Sequence, residues 1–337
     1  MRSQIPVRQY RTQSTLAQES LCGTLSVMRY SFAAHLAKYG PSQARHQLPI
    51  SLGRAQRYCD HFLRSHAENF TVSSLLLPRR LWKPFAAIYA YCRWADDLGD
   101  ETGGGANSLQ LLRWWRRELL DCYEGYAWHP VMIALQPVIR EYQIPPQPFL
   151  DLLYAFEQDQ LVTQYSTYDR LLEYCRYSAN PVGHLILYLF RSFDPESAAL
   201  SDSICTGLQL ANFWQDVARD KAIGRIYLPE EDRQRFGYSE QDFREKRYNR
   251  AFVSLMRYQV ERARELLYRG MPLVGRVPRD CAIEVDLFMR GGLAILKQIE
   301  RIYYNVWAMR PEVSAFSKGW MLLGAVARRW SGRGFGG

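Results

Sequence analysis

The stretch "YAYCRWADDLGDE", residues 89–101, decides how this chain is read. Its apolar residues recur at three- and four-residue steps, yet Asp96, Asp97, Asp100 and Glu101 follow directly on Tyr91, Cys92 and Trp94. A second segment, "LQLANFWQDVARD" (208–220), repeats the combination. At about 100° per residue, Asn212 lies about 300° from Gln209, Asp216 about 340° and Asp220 about 20°, so four oxygen-bearing side chains share one helix face. Phe213, at about 40°, borders that face, whereas Trp214 points well away. Arg93, Asp96, Asp97 and Asp100 likewise gather within about a third of their helix's circumference.

A solvated acidic face is the plain alternative. Two features oppose it. The flanking residues Ile88, Tyr91, Trp94, Leu208, Leu210 and Phe213 are too apolar for a surface helix, and the acids are not interleaved with Lys at four-residue steps. Buried carboxylates without partners are costly and imply cations nearby. Oxygen ligands from two facing helices suit Mg²⁺, which keeps several waters and is completed by phosphate oxygens. Two such stripes facing one another describe a cavity for a metal–diphosphate cluster inside a helical bundle.

The rest of the chain fits that setting. From about residue 58 the pattern is helical nearly throughout, as in "QPFLDLLYAFEQDQLV", "AFVSLMRYQVERARELLYRG" and "AIEVDLFMRGGLAILKQIERIYYNVW". The breaks, "GDETGGGANS", "YQIPPQP", "FDPESAALS" and "GMPLVGRVPRD", carry helix punctuation. Alternating strand patterns and a strand followed by GxGxxG are both missing; no nicotinamide is expected, although the missing fingerprint does not by itself decide it. Residues 56–331 read as one all-α domain and 332–337 as a flexible tail. Pro181, in "CRYSANPVGHLILYLF", is expected to break or kink its helix, because it lacks an N–H and its ring clashes with the preceding turn.

Composition limits the function classes. The 337 residues are 47% hydrophobic and 14% aromatic, as in a packed globular protein. The formal charge is +9, but residues 1–55 carry seven cationic side chains against the single acid Glu19, so most of the excess sits there. No nucleic-acid motif accompanies it. Residues 1–55 read as an extension: a transit peptide, a disordered tail, or translation assigned from too far upstream. The seven cysteines are scattered without a CxxC pair, which argues for reduced thiols in a cytoplasmic protein and against zinc or disulfides. No run approaches the roughly 18 apolar residues that span a bilayer. Peripheral contact with the inner membrane surface, and with pathway enzymes, stays open.

The motifs "DDLGDE" and "QLANFWQDVARD", the lead-in "AAIYAYCRWADD", the segment "YCRYSANPVG" and the later "GRIYLP" together resemble the squalene/phytoene synthase family, the head-to-head prenyl synthases. The resemblance runs from about His66 to the C-terminal helices. It implies an isoprenoid-synthase-type bundle with a central cavity, a prenyl diphosphate substrate, and two or three Mg²⁺ ions. Asp96, Asp100, Asp216 and Asp220 match its metal positions, with Asp97 beside them. Gln209 and Asn212 match polar positions of the same site, and His66 and Arg93 match positions that contact diphosphate. Tyr174 and Tyr227 match aromatic residues near the reacting centre. Arg225 either serves the site or anchors the loop before "IYLP".

Many relatives carry a hydrophobic pair and then Arg before the second-motif aspartate, where this chain has Phe213-Trp214-Gln215-Asp216. With "ENFTVSSLLLPRRL" and "SANPVG", this spelling resembles the bacterial hydroxysqualene synthases of the hopanoid branch. That implies conversion of presqualene diphosphate and water to hydroxysqualene and diphosphate. Gln215, with Phe213, is then expected to admit and position the water, although helical phase puts Gln215 off the main stripe. The alternatives are a squalene or presqualene diphosphate synthase that condenses two farnesyl diphosphates, and a non-catalytic scaffold of the same fold.

Overall fold

Trp94 is wholly enclosed, and its burial orients the helix that carries the first acid motif. The computed structural model describes residues 31–42, 50–65 and 77–312. Its helices are α1 (Phe32–Tyr39), α2 (Leu52–Ser65), α3 (Arg79–Asp100), α4 (Gly105–Tyr123), α5 (Pro130–Tyr142), α6 (Gln147–Gln158) and α7 (Tyr168–Ser178). They continue with α8 (Asn180–Leu189), α9 (Pro195–Ala222), α10 (Glu230–Arg235), α11 (Glu240–Arg244), α12 (Arg250–Arg269) and α13 (Arg279–Arg301). Among the described residues there is no strand, only one isolated parallel bridge between Gln164 and Ile226. The all-α expectation holds. No described helix is long and apolar enough to cross a membrane.

Two groups of helices build the body. α2, α3 and α5 pack together, with α4 against α3 and α5, while α9 lies centrally against α8, α12 and α13. α6 touches α3 and α8 and so joins the groups. In the first group Trp94 stacks on Trp115 with ring centroids 5.3 Å apart. The edge of His129 meets Trp94 at 4.5 Å. Asp96 is two residues from Trp94, about 160° away around the helix. Burying the indole therefore turns Asp96 towards the other side of α3. Trp94→Ala is expected to cost about 3–5 kcal/mol, as for large aromatic truncations in a packed core, measured by denaturant unfolding.

Local chemistry explains where elements start and stop. Asp194 caps α9: its Oδ1 accepts from the amides of Glu196 at 3.0 Å and Ser197 at 2.9 Å. Pro195 follows in the first turn, where its missing N–H has no partner to lose. Most of "FDPESAALS", read from sequence as a break, therefore forms the opening turns of α9. Pro181 interrupts its helix as expected: α7 ends at Ser178, and α8 starts with the proline in its first turn. Gly183 lets α8 approach α9 closely, since a Cβ there would lie 2.2 Å from the Ser201 hydroxyl. Helix α5 stood out least in the sequence because Pro130 and Pro137 interrupt its pattern.

The extension expected over residues 1–55 is corrected at residues 32–39 and 52–55, which are helical. Phe32 is 2% exposed and meets Trp94 edge-on at 5.1 Å. Apolar burial against the Trp94 cluster outweighs the basic composition that set this stretch apart. Residues 1–30, the tail 332–337 and His66 lie outside the described residues.

Candidate active site

The polar end of the site is built on α3, α9 and one loop. Gly224, at a φ of +84°, turns the chain after α9, and the Arg225 amide returns to the Asp220 carbonyl at 2.8 Å. The next residues run beside the loop after α6: Ile226 donates to the Thr163 carbonyl at 2.7 Å and Glu230 to that of Tyr165 at 3.0 Å. This pairing places Arg225 and Tyr227 beside Asp159, Tyr165 and Tyr174.

Arg225 is the common neighbour of the acid groups. Its guanidinium lies 3.4 Å from Asp100, and its charge acts on Asp96, Asp159 and Asp220. Burial opposes that charge, but Asp159 and the other acids hold the guanidinium above its ordinary value. The carboxylates are under-compensated nonetheless. Burial, with Asp100 nearby, pushes Asp96 up to about 6 against the pull of Arg93. Burial, reinforced by Asp216, pushes Asp220 up to about 7. Burial also pushes Asp159 up to about 6, although Arg225 and the Tyr174 hydroxyl, 3.0 Å away, favour its charge.

Other expected positions divide. Arg93 is held on its own helix, 2.9 Å from Asp96 and 2.6 Å from Asp97. Asp97 is 1% exposed. It lies three residues from Trp94, about 60° around the helix, so the force that buries the indole buries it too. Asp97 therefore braces Arg93 from the buried side of α3. Gln215 is buried at 6% exposure and occupied away from the carboxylate stripe. Its Nε2 donates to the Pro311 carbonyl at 2.5 Å, and its Oε1 accepts from Arg310 at 3.2 Å. Gln209 is half-buried and Asn212 exposed, two turns and one turn before Asp216 respectively.

Phe213 is buried and stacks on Tyr227 at 3.7 Å, with Tyr174 6.3 Å from Phe213 and 6.0 Å from Tyr227. The three aromatic residues thus form one cluster, joined by Tyr165 at 5.9 Å from Tyr227. A void of about 10 Å³ lies between Phe213, Asp220, Arg225 and Tyr227, at the lower limit for one water.

Sequence reasoning missed Asp159 and Arg310. Asp159 stands in "EQDQ" at the end of an ordinary amphipathic helix, and its only signal was an acid after an apolar run. Arg310 follows the last described helix in an Arg-Pro pair that carries no pattern. It grips Asp216 through Nε at 2.6 Å and Nη2 at 3.0 Å.

Beyond the acids lies an apolar cavity of about 410 Å³, between α3, α8, α9 and α13, with Asp96 and Arg93 among its lining residues. Its walls include Phe85, Ile88, Phe156, Leu185, Leu208 and Phe288. The volume falls in the ordinary range for small-molecule sites. An apolar chamber ending in carboxylates and arginines suits a molecule with a hydrocarbon body and an anionic head. Among the described residues no three His, Cys, Asp or Glu groups form a ready-made metal cluster. The all-oxygen donor set and the raised acids fit a hydrated Mg²⁺ whose coordination is completed by water and by ligand oxygens.

Such a fold and site fit an enzyme for a substrate with a hydrocarbon body and an anionic head. The family model for squalene/phytoene synthases matches residues 63–317, and the chain belongs to that family. A crystal structure of squalene synthase HpnC from Alicyclobacillus acidocaldarius is 41% identical, with a TM-score of 0.73, covering 78% of this chain and 99% of that one. A dehydrosqualene synthase in complex with ligand is 28% identical, with a TM-score of 0.74, covering 83% and 98%. The phytoene synthase of Arthrospira platensis is 27% identical over 283 residues, 80% of this chain and 92% of that one.

Proposed function

We propose that this family enzyme ionises presqualene diphosphate and captures the cation with water, giving hydroxysqualene and diphosphate. The observation that carries the reading is the convergence of both acid segments on Arg225 at the polar end of an apolar cavity. Asp96, Asp100, Asp216 and Asp220 would hold Mg²⁺, with Asp159 close by. A Mg²⁺ held there would supply Lewis-acid neutralisation of the charge on diphosphate. Arg225 adds a fixed positive charge where the C–O bond breaks and diphosphate departs with the electron pair. The cyclopropylcarbinyl cation rearranges beside the faces of Phe213, Tyr174 and Tyr227, which exclude water and favour positive charge. Water oxygen then bonds to the allylic carbon, and its proton passes to diphosphate.

Two observations support the hydroxysqualene branch, the Phe213-Trp214-Gln215 spelling and the water-sized void beside Phe213; the 41% identity to a squalene synthase against 27% to a phytoene synthase favours the squalene side of the family. A second reading, condensation of two farnesyl diphosphates, draws on the solved structure that is named a squalene synthase. A cytoplasmic protein that meets its apolar substrate at a membrane surface suits either. The test is turnover of presqualene diphosphate with Mg²⁺, without nicotinamide, in ¹⁸O-labelled water. Labelled hydroxysqualene is expected; consumption of farnesyl diphosphate alone moves the enzyme to the condensation step. A purely structural homologue would turn over neither. Mg²⁺ with inorganic pyrophosphate is also expected to raise Tm, because ligand that binds only the folded state stabilises it by mass action.

A further inference from the structure

Among the described residues, the Gln215 side chain meets the acid site through Arg310. Its two amide atoms serve two partners of opposite kind: Nε2 donates to the Pro311 carbonyl at 2.5 Å, and Oε1 accepts from Arg310 Nη2 at 3.2 Å. An arginine at 215 could not accept, and a carboxylate could not donate. With Pro311 tethered and one guanidinium nitrogen held, Arg310 is presented to Asp216, which it grips with two hydrogen bonds of 2.6 and 3.0 Å. Paired, charge-assisted contacts of this kind are among the strong ones. Arg219, 3.8 Å from Asp216 and 65% exposed, is a looser neighbour. The Asp216 side chain itself is only 13% exposed, so a cation entering there meets one already seated.

We propose that Gln215 is a positioning residue that seats Arg310 on Asp216 as an internal counter-ion, so that Mg²⁺ and Arg310 compete for this carboxylate. The inference rests on the metal–diphosphate reading of the site. Its consequence is coupling. Mg²⁺ alone has to displace a guanidinium held at three points, whereas an incoming anion supplies other negative charge for the guanidinium and frees Asp216. Metal and diphosphate therefore enter together, which keeps a metal ion from filling the acid pole of an empty cavity.

The test is a thermal-shift titration of the full chain with MgCl₂, alone and with saturating inorganic pyrophosphate. In the wild type, pyrophosphate is expected to lower the half-maximal Mg²⁺ concentration at least about tenfold, a coupling of ordinary size. Gln215→Met keeps length and volume but releases both partners. It should lower the Mg²⁺-alone midpoint about threefold or more and shrink the ratio of the two midpoints. Arg310→Gln, at a part-exposed position, should do the same without disturbing residue 215. If Gln215 only packs, Gln215→Met changes Tm while both midpoints stay within twofold of wild type, and the proposal is overturned. It is equally overturned if Arg310→Gln leaves the Mg²⁺-alone midpoint unchanged, a readout that stands even if the Met variant does not fold. A wild type that responds to neither MgCl₂ nor pyrophosphate overturns the metal site, and this proposal with it.

Discussion

Asp220→Asn is expected to lower kcat/KM by about 10²–10³-fold, the size of effect seen when one group that stabilises transition-state charge is removed. The same substitution should leave the metal-free protein as stable as the wild type, or more so. Asp220 is held up to about 7 by burial and by Asp216, and Arg225, Arg219 and Arg310 only partly offset this. Its folded pKa lies above its unfolded one, so the metal-free fold binds the extra proton. That contribution to stability is lost as pH rises from about 4, the unfolded value, to about 7. Wild-type Tm without metal should thus decline across this window, and Asp220→Asn should flatten part of the decline. Asp96 and Asp159, both near 6, supply the rest. With Mg²⁺ and pyrophosphate the order reverses, because the cation replaces the proton. Thermal scans at pH 5, 6, 7 and 8 with and without Mg²⁺–pyrophosphate check both halves. A metal-free Tm that rises through this window would show that these acids are compensated.

Cys92→Phe is expected to separate the two halves of the site. Cys92 lines the cavity one turn before Asp96, at the junction of apolar wall and acid pole. Burial drives its thiol up to about 12, so it contributes as a small apolar group. A phenyl ring there keeps about 100 Å² of hydrocarbon out of the cavity. At about 25 cal/mol per Å² this is about 2.5 kcal/mol, or nearly a hundredfold in kcat/KM for a long prenyl diphosphate. Inorganic pyrophosphate has no hydrocarbon, so its Mg²⁺-dependent thermal shift should persist. Loss of both would mean that the ring displaces α3 and its carboxylates. Loss of neither would place the prenyl chain elsewhere.

What was legible in the sequence was local or periodic. The apolar three- and four-residue steps marked most long helices, and the stop at Pro181 followed from one missing N–H. The shared face of Asp216 and Asp220 followed from 3.6 residues per turn. The aromatic residues Phe213, Tyr174 and Tyr227, named from the family resemblance, do meet. Angle alone does not tell Asp97 from its neighbours: it falls within the acid stripe by count but on the buried side once Trp94 enters the core. At Gln215 helical phase was a sound guide, placing it off the stripe, but its partners lie 95 and 96 residues away and no local pattern names them.

The sequence by itself determined an all-α chain with two acid-bearing faces, because helical phase is a property of neighbouring residues. Only the tertiary structure decided which acids reach the site and what faces them. Arg225 is brought to Asp100 across 125 residues of chain, and Arg310 to Asp216 across 94. Such pairings follow from the packing of α3 and α9 around a common cavity. No local periodicity encodes them, because the burial energy that sets the packing is shared among all the helices that line it.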